Sequence, residues 1–99
     1  MIQIVWEFRV KPERTAEFER HYSSSGAWAA LFKQGEGYGG TVLVRDSENQ
    51  SRYLTLDMWE NITAYHKFRA KFSEDYLRLD QQFEALTEEE KCLGIFETL

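Results

Sequence analysis

The chain alternates with period two along Arg52-Tyr53-Leu54-Thr55-Leu56-Asp57-Met58-Trp59. Successive side chains of a β-strand point to opposite faces of its sheet. One face of this strand therefore carries Leu54, Leu56 and Met58, and the other carries Tyr53, Thr55, Asp57 and Trp59. Because both faces hold large side chains, we expect both to be covered.

The segments before this strand predict a strand, two helical pieces and a second strand. Residues 2–10 alternate with period two. Residues 12–22 have helical spacing after Pro12, and a short second helix carrying Trp28, Leu31 and Phe32 ends before Gly35. Residues 41–45 then form a strand that pairs with 52–59 across the polar run 46–51. The glycines between 35 and 40 predict a tight helix-to-strand turn with a bulge.

The segments after this strand predict helix and then a last strand. Asn61 is an N-cap candidate, and the apolar residues that follow keep helical spacing as far as Phe83, with a kink near Ser73. Thr87 and Glu90 have capping-box spacing, which predicts one further helical turn. Leu93, Ile95 and Phe96 predict a final strand, in which Cys92 would be buried.

These elements follow the order βαββαβ. That order predicts an α+β, ferredoxin-like fold with a four-stranded antiparallel sheet, helices on one face and the other face open to a partner. We expect residues 1–99 to form a single domain, because the chain has the length of one core and no linker divides it.

Composition excludes several classes of partner. The net charge is −5 and the twelve basic residues are scattered, so the chain lacks the basic surface that binds nucleic acid. Its apolar runs are too short for a membrane helix, and residues 1–7 do not have the pattern of a signal peptide. We therefore expect a cytoplasmic protein.

Several stretches together resemble the antibiotic-biosynthesis-monooxygenase-like family. They are residues 6–10 (WEFRV), 26–32 (GAWAALF), 40–46 (GTVLVRD) and 53–60 (YLTLDMWE), followed by Tyr65 and Phe68. The resemblance implies a homodimer in which two ferredoxin-like sheets pack through their open faces into an α/β barrel. Members of this superfamily include oxygenases, haem degraders and isomerases.

The resemblance does not extend to the haem-degrading branch. That branch carries an Asn on the first strand, a Trp nine positions after the Trp that ends strand three, and a His about ten positions later. This chain has Gln3 but no Asn on its first strand, Phe68 at the second position and Arg78 near the third. Haem degradation is therefore not expected, and Trp59, which matches the common Trp, is interpreted first as a packing residue and second as part of a pocket wall.

The ionisable candidates for chemistry are few. His66 follows Tyr65 on the long helix, and a neutral imidazole there could take a proton from a phenol, although a histidine at the border of a helix is more often a surface residue. His21 has a similar border position. Asp57 would be costly to bury alone, so we interpret it first as an interface ion pair with Arg9, Arg45 or Arg52 and only second as a general base.

Aromatic residues dominate the remaining signal. They could form the core alone, or they could enclose a cavity for a flat aromatic ligand. The predicted substrate-binding residues are Trp28, Phe32, Tyr53, Asn61, Tyr65, Phe68, Arg69 and Phe72, with His66 as the catalytic residue. No metal is indicated, because two histidines without regular acidic partners do not make a site.

Three classes of function remain open. The resemblance implies a cofactor-independent monooxygenase that acts on a quinol or phenolic substrate and needs no cofactor. The alternative is a non-catalytic dimeric module that binds a small aromatic ligand or a protein partner, and an isomerase of the same superfamily is a third class.

Overall fold

A computed structural model describes all of residues 1–99, and its elements follow the predicted order. The strands are β1 (Ile2–Val10), β2 (Tyr38–Asp46), β3 (Asn49–Trp59) and β4 (Thr87–Glu97). The helices are α1 (Thr15–Tyr22), α2 (Ala27–Phe32), α3 (Ile62–Lys71) and α4 (Ser73–Phe83), and 3₁₀ turns precede α1 and follow α4. The strand order is β2-β3-β1-β4 with all pairs antiparallel, which confirms the ferredoxin-like prediction.

The helices cover one face of the sheet. On that face β1 contributes Ile2, Ile4, Phe8 and Val10 to the core, and β3 contributes Tyr53 and Trp59. Leu54, Leu56 and Met58 lie on the opposite, open face and are half-buried, while Val42 and Val44 on β2 are exposed beside them. The two-sided pattern of residues 52–59 is therefore split between a helix-covered core face and an apolar open face.

The predicted long helix is two helices. Phe72 leaves the helical conformation at φ −110° and ψ 28°, and its N–H still donates to Phe68 O while its own carbonyl accepts from Tyr76 N–H. The kink near Ser73 is therefore confirmed. Asn61 caps α3 as predicted, because Ala64 N–H donates to its side-chain oxygen at 2.8 Å.

Two predictions near the C-terminus are wrong. Thr87 begins β4 opposite Val10 of β1, so pairing with β1 replaces the expected helical turn. Cys92 is exposed, because β4 is an edge strand and no helix packs over it at that position.

The β2–β3 hairpin is longer than predicted, and β2 begins with a bulge. The strands meet at a turn of only Ser47 and Glu48. Tyr38 pairs with Trp59, yet Gly40 pairs with the next residue, Met58, so Gly39 is the extra residue. Gly40 has φ +123°, a conformation that side chains with a Cβ rarely adopt.

Replacing Gly40 by Ala should destabilise the fold through the backbone. A Cβ there would meet only Met58 Cε at 3.6 Å, so strain rather than a clash sets the cost, about 1 to 3 kcal/mol in free energy of unfolding. Denaturant unfolding measures this. Gly39→Ala is the matched control: its φ is not positive and its nearest neighbour is the mobile end of Met1, so its loss should be clearly smaller. Equal losses would contradict this account.

Candidate functional site

A cavity of about 220 Å³ lies between the sheet and the helices. Its aromatic wall is Trp6, Phe8, Tyr22, Trp28, Phe32 and Tyr76, and its polar residues are Thr41, Thr55, Asp57, Arg69, Asp80 and Glu90. The first strand supplies part of the floor and α2 part of the roof, where Trp28 and Phe32 share one face of the helix at i and i+4. The sequence left open whether the aromatic residues fill the core or enclose a cavity. In the structure they enclose a cavity beneath Trp28.

Aromatic packing closes the core beside this cavity. Trp59 is fully buried, and its ring centroid lies 6.0 Å from that of Phe32, 5.1 Å from Phe68 and 5.6 Å from Tyr65. The cluster fixes α2 and α3 on the sheet, which agrees with the packing role assigned to Trp59. Trp28 stands at the border of cluster and cavity, with its Nε1 buried and without a hydrogen-bond partner.

Asp57 is the buried acid of the cavity. It is 8% exposed, and Thr41 Oγ1 donates to its Oδ1 at 2.8 Å. No cation pairs with it, and burial raises the pKa of Asp57 to about 6.

The predicted ion pair of Asp57 is wrong. The three candidate arginines bind other carboxylates: Arg9 pairs with Glu89, Arg45 with Glu19, and Arg52 with Glu7 and Asp46. Asp57 instead faces the helices with the other odd-numbered residues of β3, whereas Arg52 and Arg9 lie on the open face. The register of the sheet therefore separates the two charges.

The cavity mouth carries one cation and two acids. The guanidinium of Arg69 lies 3.7 Å from the centre of the Tyr76 ring, and Nη1 donates to Tyr65 Oη at 3.0 Å. Burial, together with Asp80 and Glu84, raises the pKa of Glu90. Burial also raises the pKa values of the Tyr22 and Tyr76 phenols, which therefore stay protonated near neutral pH.

The structure brings three of the predicted binding residues into this cavity: Trp28, Phe32 and Arg69. The other five lie outside its lining. Tyr53 and Phe68 are core residues, and the Tyr53 hydroxyl donates to Glu19. Asn61 caps α3, and Phe72 lies at the break between α3 and α4. Tyr65 is connected to the cavity only through its hydrogen bond with Arg69.

The candidate base His66 is exposed on α3 and does not line the cavity. Its catalytic role stays a prediction. His21 stacks on Phe83 with ring centroids 4.3 Å apart, which is a packing contact.

Trp6, Thr41 and Tyr76 were not assigned to a site from the sequence. Trp6 and Tyr76 belonged to the apolar patterns of their strand and helix, so nothing set them apart from core residues. Thr41 could have been found from its position opposite Asp57 in the hairpin. That pairing can be deduced only when the position of the bulge in β2 is known.

The structure has no cluster of three or more His, Cys, Asp or Glu side chains able to hold a metal ion. None of its helices has the length and apolar character needed to cross a membrane.

Fold and cavity together define an α+β, ferredoxin-like domain with an aromatic pocket between helices and sheet. The chain matches the family model described as antibiotic biosynthesis monooxygenase over residues 1–78. It therefore belongs to the antibiotic biosynthesis monooxygenase family, as the sequence resemblance indicated.

Solved structures agree with this fold. The chain is 26% identical to a Bordetella bronchiseptica protein assigned as an antibiotic biosynthesis monooxygenase, with a TM-score of 0.80 over 99% of this chain and 96% of that one. It is 23% identical to a variant of SnoaB, a cofactor-independent oxygenase from Streptomyces nogalater, with a TM-score of 0.79 over 98% and 91% of the two chains. No curated protein sequence matches the chain.

Asp57→Asn should stabilise the protein at neutral pH. The folded pKa of about 6 lies above the ordinary 3.8, so the folded state holds the proton more tightly, and this stability is lost as pH rises through that interval. The variant and the native protein should be similarly stable near pH 4. Above about pH 7 the variant should gain up to about 3 kcal/mol in free energy of unfolding. Urea unfolding across this range measures the gap, and a gap independent of pH would contradict the raised pKa.

Proposed function

We propose that the protein is a cofactor-independent monooxygenase that oxidises an uncharged phenol or quinol of one or two rings, with Asp57 as the proton acceptor. The observation that carries this proposal is a carboxylate buried in an aromatic cavity without a cationic partner. A buried carboxylate whose pKa is about 6 is ionised at pH 7 and is a stronger base than an ordinary aspartate.

The chemistry follows from proton removal. Loss of the hydroxyl proton to Asp57 gives the substrate anion, which donates an electron to O₂ far more readily than the neutral phenol does. Recombination of the radical with superoxide forms a C–O bond at a ring carbon, and cleavage of the O–O bond with loss of water leaves a quinone. One atom of O₂ enters the product, the other leaves as water, and the substrate supplies all four electrons. Six aromatic side chains of the lining would surround the anion and its oxygen adduct. The guanidinium of Arg69, which also lines the cavity, is the one positive charge available to the anionic states.

Cavity size limits the substrate. A cavity of about 150 Å³ holds benzene, so about 220 Å³ accommodates one or two fused rings. Trp28 and Tyr76 meet edge to face in the cavity wall, with ring centroids 4.9 Å apart, and this aromatic wall suits an aromatic substrate.

Charge limits it further. The lining holds three carboxylates, Asp57, Asp80 and Glu90, against the single guanidinium of Arg69. That guanidinium already contacts Tyr65 and Tyr76. A substrate with its own carboxylate would meet these like charges, so neutral substrates are favoured.

We further propose that the chain is a homodimer through the open sheet face. Val42 and Val44 are 45% and 40% exposed there, next to the half-buried Leu54, Leu56 and Met58. A contiguous apolar patch of this kind is typical of an interaction surface. Glu7, bridged to Arg52 and Lys91, borders the patch on the same face and would form a polar rim.

Oxygen uptake tests the activity. With naphthol and naphthohydroquinone as substrates, Asp57→Asn should lower kcat by about 100-fold or more, since general-base catalysis contributes at least that much. The native kcat/KM should rise with pH through a midpoint near 6, because Asp57 must be ionised to accept the proton. Hydroxynaphthoate should be a poor substrate.

His66→Ala, measured in parallel, separates the two candidate bases. Activity lost in His66→Ala but kept in Asp57→Asn would transfer the role to His66. Thermal stabilisation by naphthol without oxygen uptake would favour the alternative, a non-catalytic module that binds an aromatic ligand.

Leu56→Asp should convert the dimer into a monomer. The substitution places a charge at the centre of the apolar patch, where each partner would have to bury it. Sedimentation equilibrium measures the mass. Leu77→Asp is the matched control, because Leu77 is 56% exposed on α4, away from the sheet, and should leave the dimer intact. A native protein that sediments as a monomer would refute the proposal.

A further inference from the structure

Three side chains form a hydrogen-bonded chain across the β2–β3 hairpin. Tyr38 Oη lies 2.5 Å from Thr41 Oγ1, and Thr41 Oγ1 lies 2.8 Å from Asp57 Oδ1. An ionised carboxylate can only accept, so the single hydroxyl proton of Thr41 is donated to Asp57. Tyr38 must then be the donor to Thr41, which gives the chain one direction.

The bulge of β2 makes this chain possible. Residues 38 and 41 are three apart, so in a regular strand they would point to opposite faces. The extra residue Gly39 restores Thr41 to the face of Tyr38, and Thr41 pairs directly with Asp57. A local irregularity of the backbone thus brings two hydroxyls to the buried acid.

Thr41 leaves half of the carboxylate unengaged. It binds Oδ1, and Oδ2 has no hydrogen-bond partner although Asp57 lines the cavity. Thr41 is itself 6% exposed, so water does not compete effectively for its hydroxyl. One carboxylate oxygen is held and the other is available to a substrate.

We propose that Thr41 is a positioning residue for Asp57, and that Tyr38 positions Thr41, so that the free carboxylate oxygen is aimed at the substrate hydroxyl. This assignment rests on the proposed role of Asp57 as the base. The hydrogen bonds from Tyr38 to Thr41 and from Thr41 to Asp57 are independent of that role. Neither hydroxyl touches the reacting atoms; both act through the carboxylate.

The two hydroxyls also tune the acid. A hydrogen bond to the charged form favours that form, so Thr41 lowers the pKa of Asp57 while burial raises it. The other ionisable groups that face the cavity are Tyr22 of α1, Arg69 of α3, Tyr76 and Asp80 of α4, and Glu90 of β4. None of them is hydrogen-bonded to Thr41 or Tyr38.

The test is the pKa of Asp57 itself, measured by carbon-detected NMR of its carboxyl group in the full-length protein. Thr41→Val removes the hydroxyl at nearly constant shape and should raise that pKa by about one unit, the size expected for a hydrogen bond to a charged group. Thr41→Ser keeps the hydroxyl and should restore the native value. Tyr38→Phe should shift it in the same direction by less, because Thr41 keeps its bond to Asp57.

The pH profile of kcat/KM on naphthohydroquinone should change with the pKa of Asp57. Its midpoint should move to higher pH in Thr41→Val and should have the native value in Thr41→Ser. An unchanged Asp57 pKa in Thr41→Val, or a shift that Thr41→Ser fails to reverse, would overturn the proposal. Should Thr41→Val not fold, an unshifted Asp57 in Tyr38→Phe overturns it instead. The NMR titration does not depend on catalytic turnover. Absence of oxygenase activity would therefore refute the proposed function, and the positioning roles of Thr41 and Tyr38 would still be decided by the measured pKa values of Asp57.

Discussion

The covering of the sheet on one side only is the constraint on which the rest of the structure depends. Because strand residues alternate between faces, α1 to α4 can bury only every second residue of β3. Tyr53, Thr55, Asp57 and Trp59 therefore lie under the helices, and Leu54, Leu56 and Met58 lie on the open face. A shift of one residue in the register would exchange the two sets and remove Trp59 from the aromatic cluster that holds α2 and α3. The cavity and the apolar open face are both consequences of this register.

Local patterns were enough to predict the fold, because the signals involved are short in range. The alternation in residues 2–10, the helical spacing after Asn61 and the glycines before β2 each depend on neighbours along the chain. The capping-box signal of Thr87 with Glu90 failed. Capping-box spacing was present, but backbone pairing with β1 satisfies the same groups along a whole strand. Tertiary pairing overrode a weak local preference there.

The candidate site was predictable only in part, because a cavity depends on which side chains fail to meet across layers. Trp28, Phe32 and Arg69 were expected and line it, whereas Tyr53 and Phe68 carry the same kind of signal and pack solidly. Periodicity cannot separate these two outcomes. Asp57 was singled out correctly as a costly burial, and the inference that an arginine must accompany it was wrong. Arg52 lies five residues before Asp57 on β3, so strand alternation already places it on the other face, and Arg9 lies there too because it pairs with Arg52.

An acid that is buried without a cation lowers the stability of the protein that carries it. A protein under selection for stability alone would replace Asp57 by Asn, which keeps the bond from Thr41 and removes the charge. Structural ion pairs elsewhere in the chain, such as Glu7 with Arg52, show that this fold does supply cations to carboxylates where they only stabilise. Asp57 instead has the hydroxyl of Thr41, which is bonded in turn to Tyr38, and both lie on its face because of a bulge in which Gly40 has a positive φ. Perturbed acids in aromatic cavities are typical of functional sites, since the same environment that raises the pKa makes the ionised form reactive. The cost of burying Asp57 therefore agrees with the proposed role of its carboxylate as a base in the cavity.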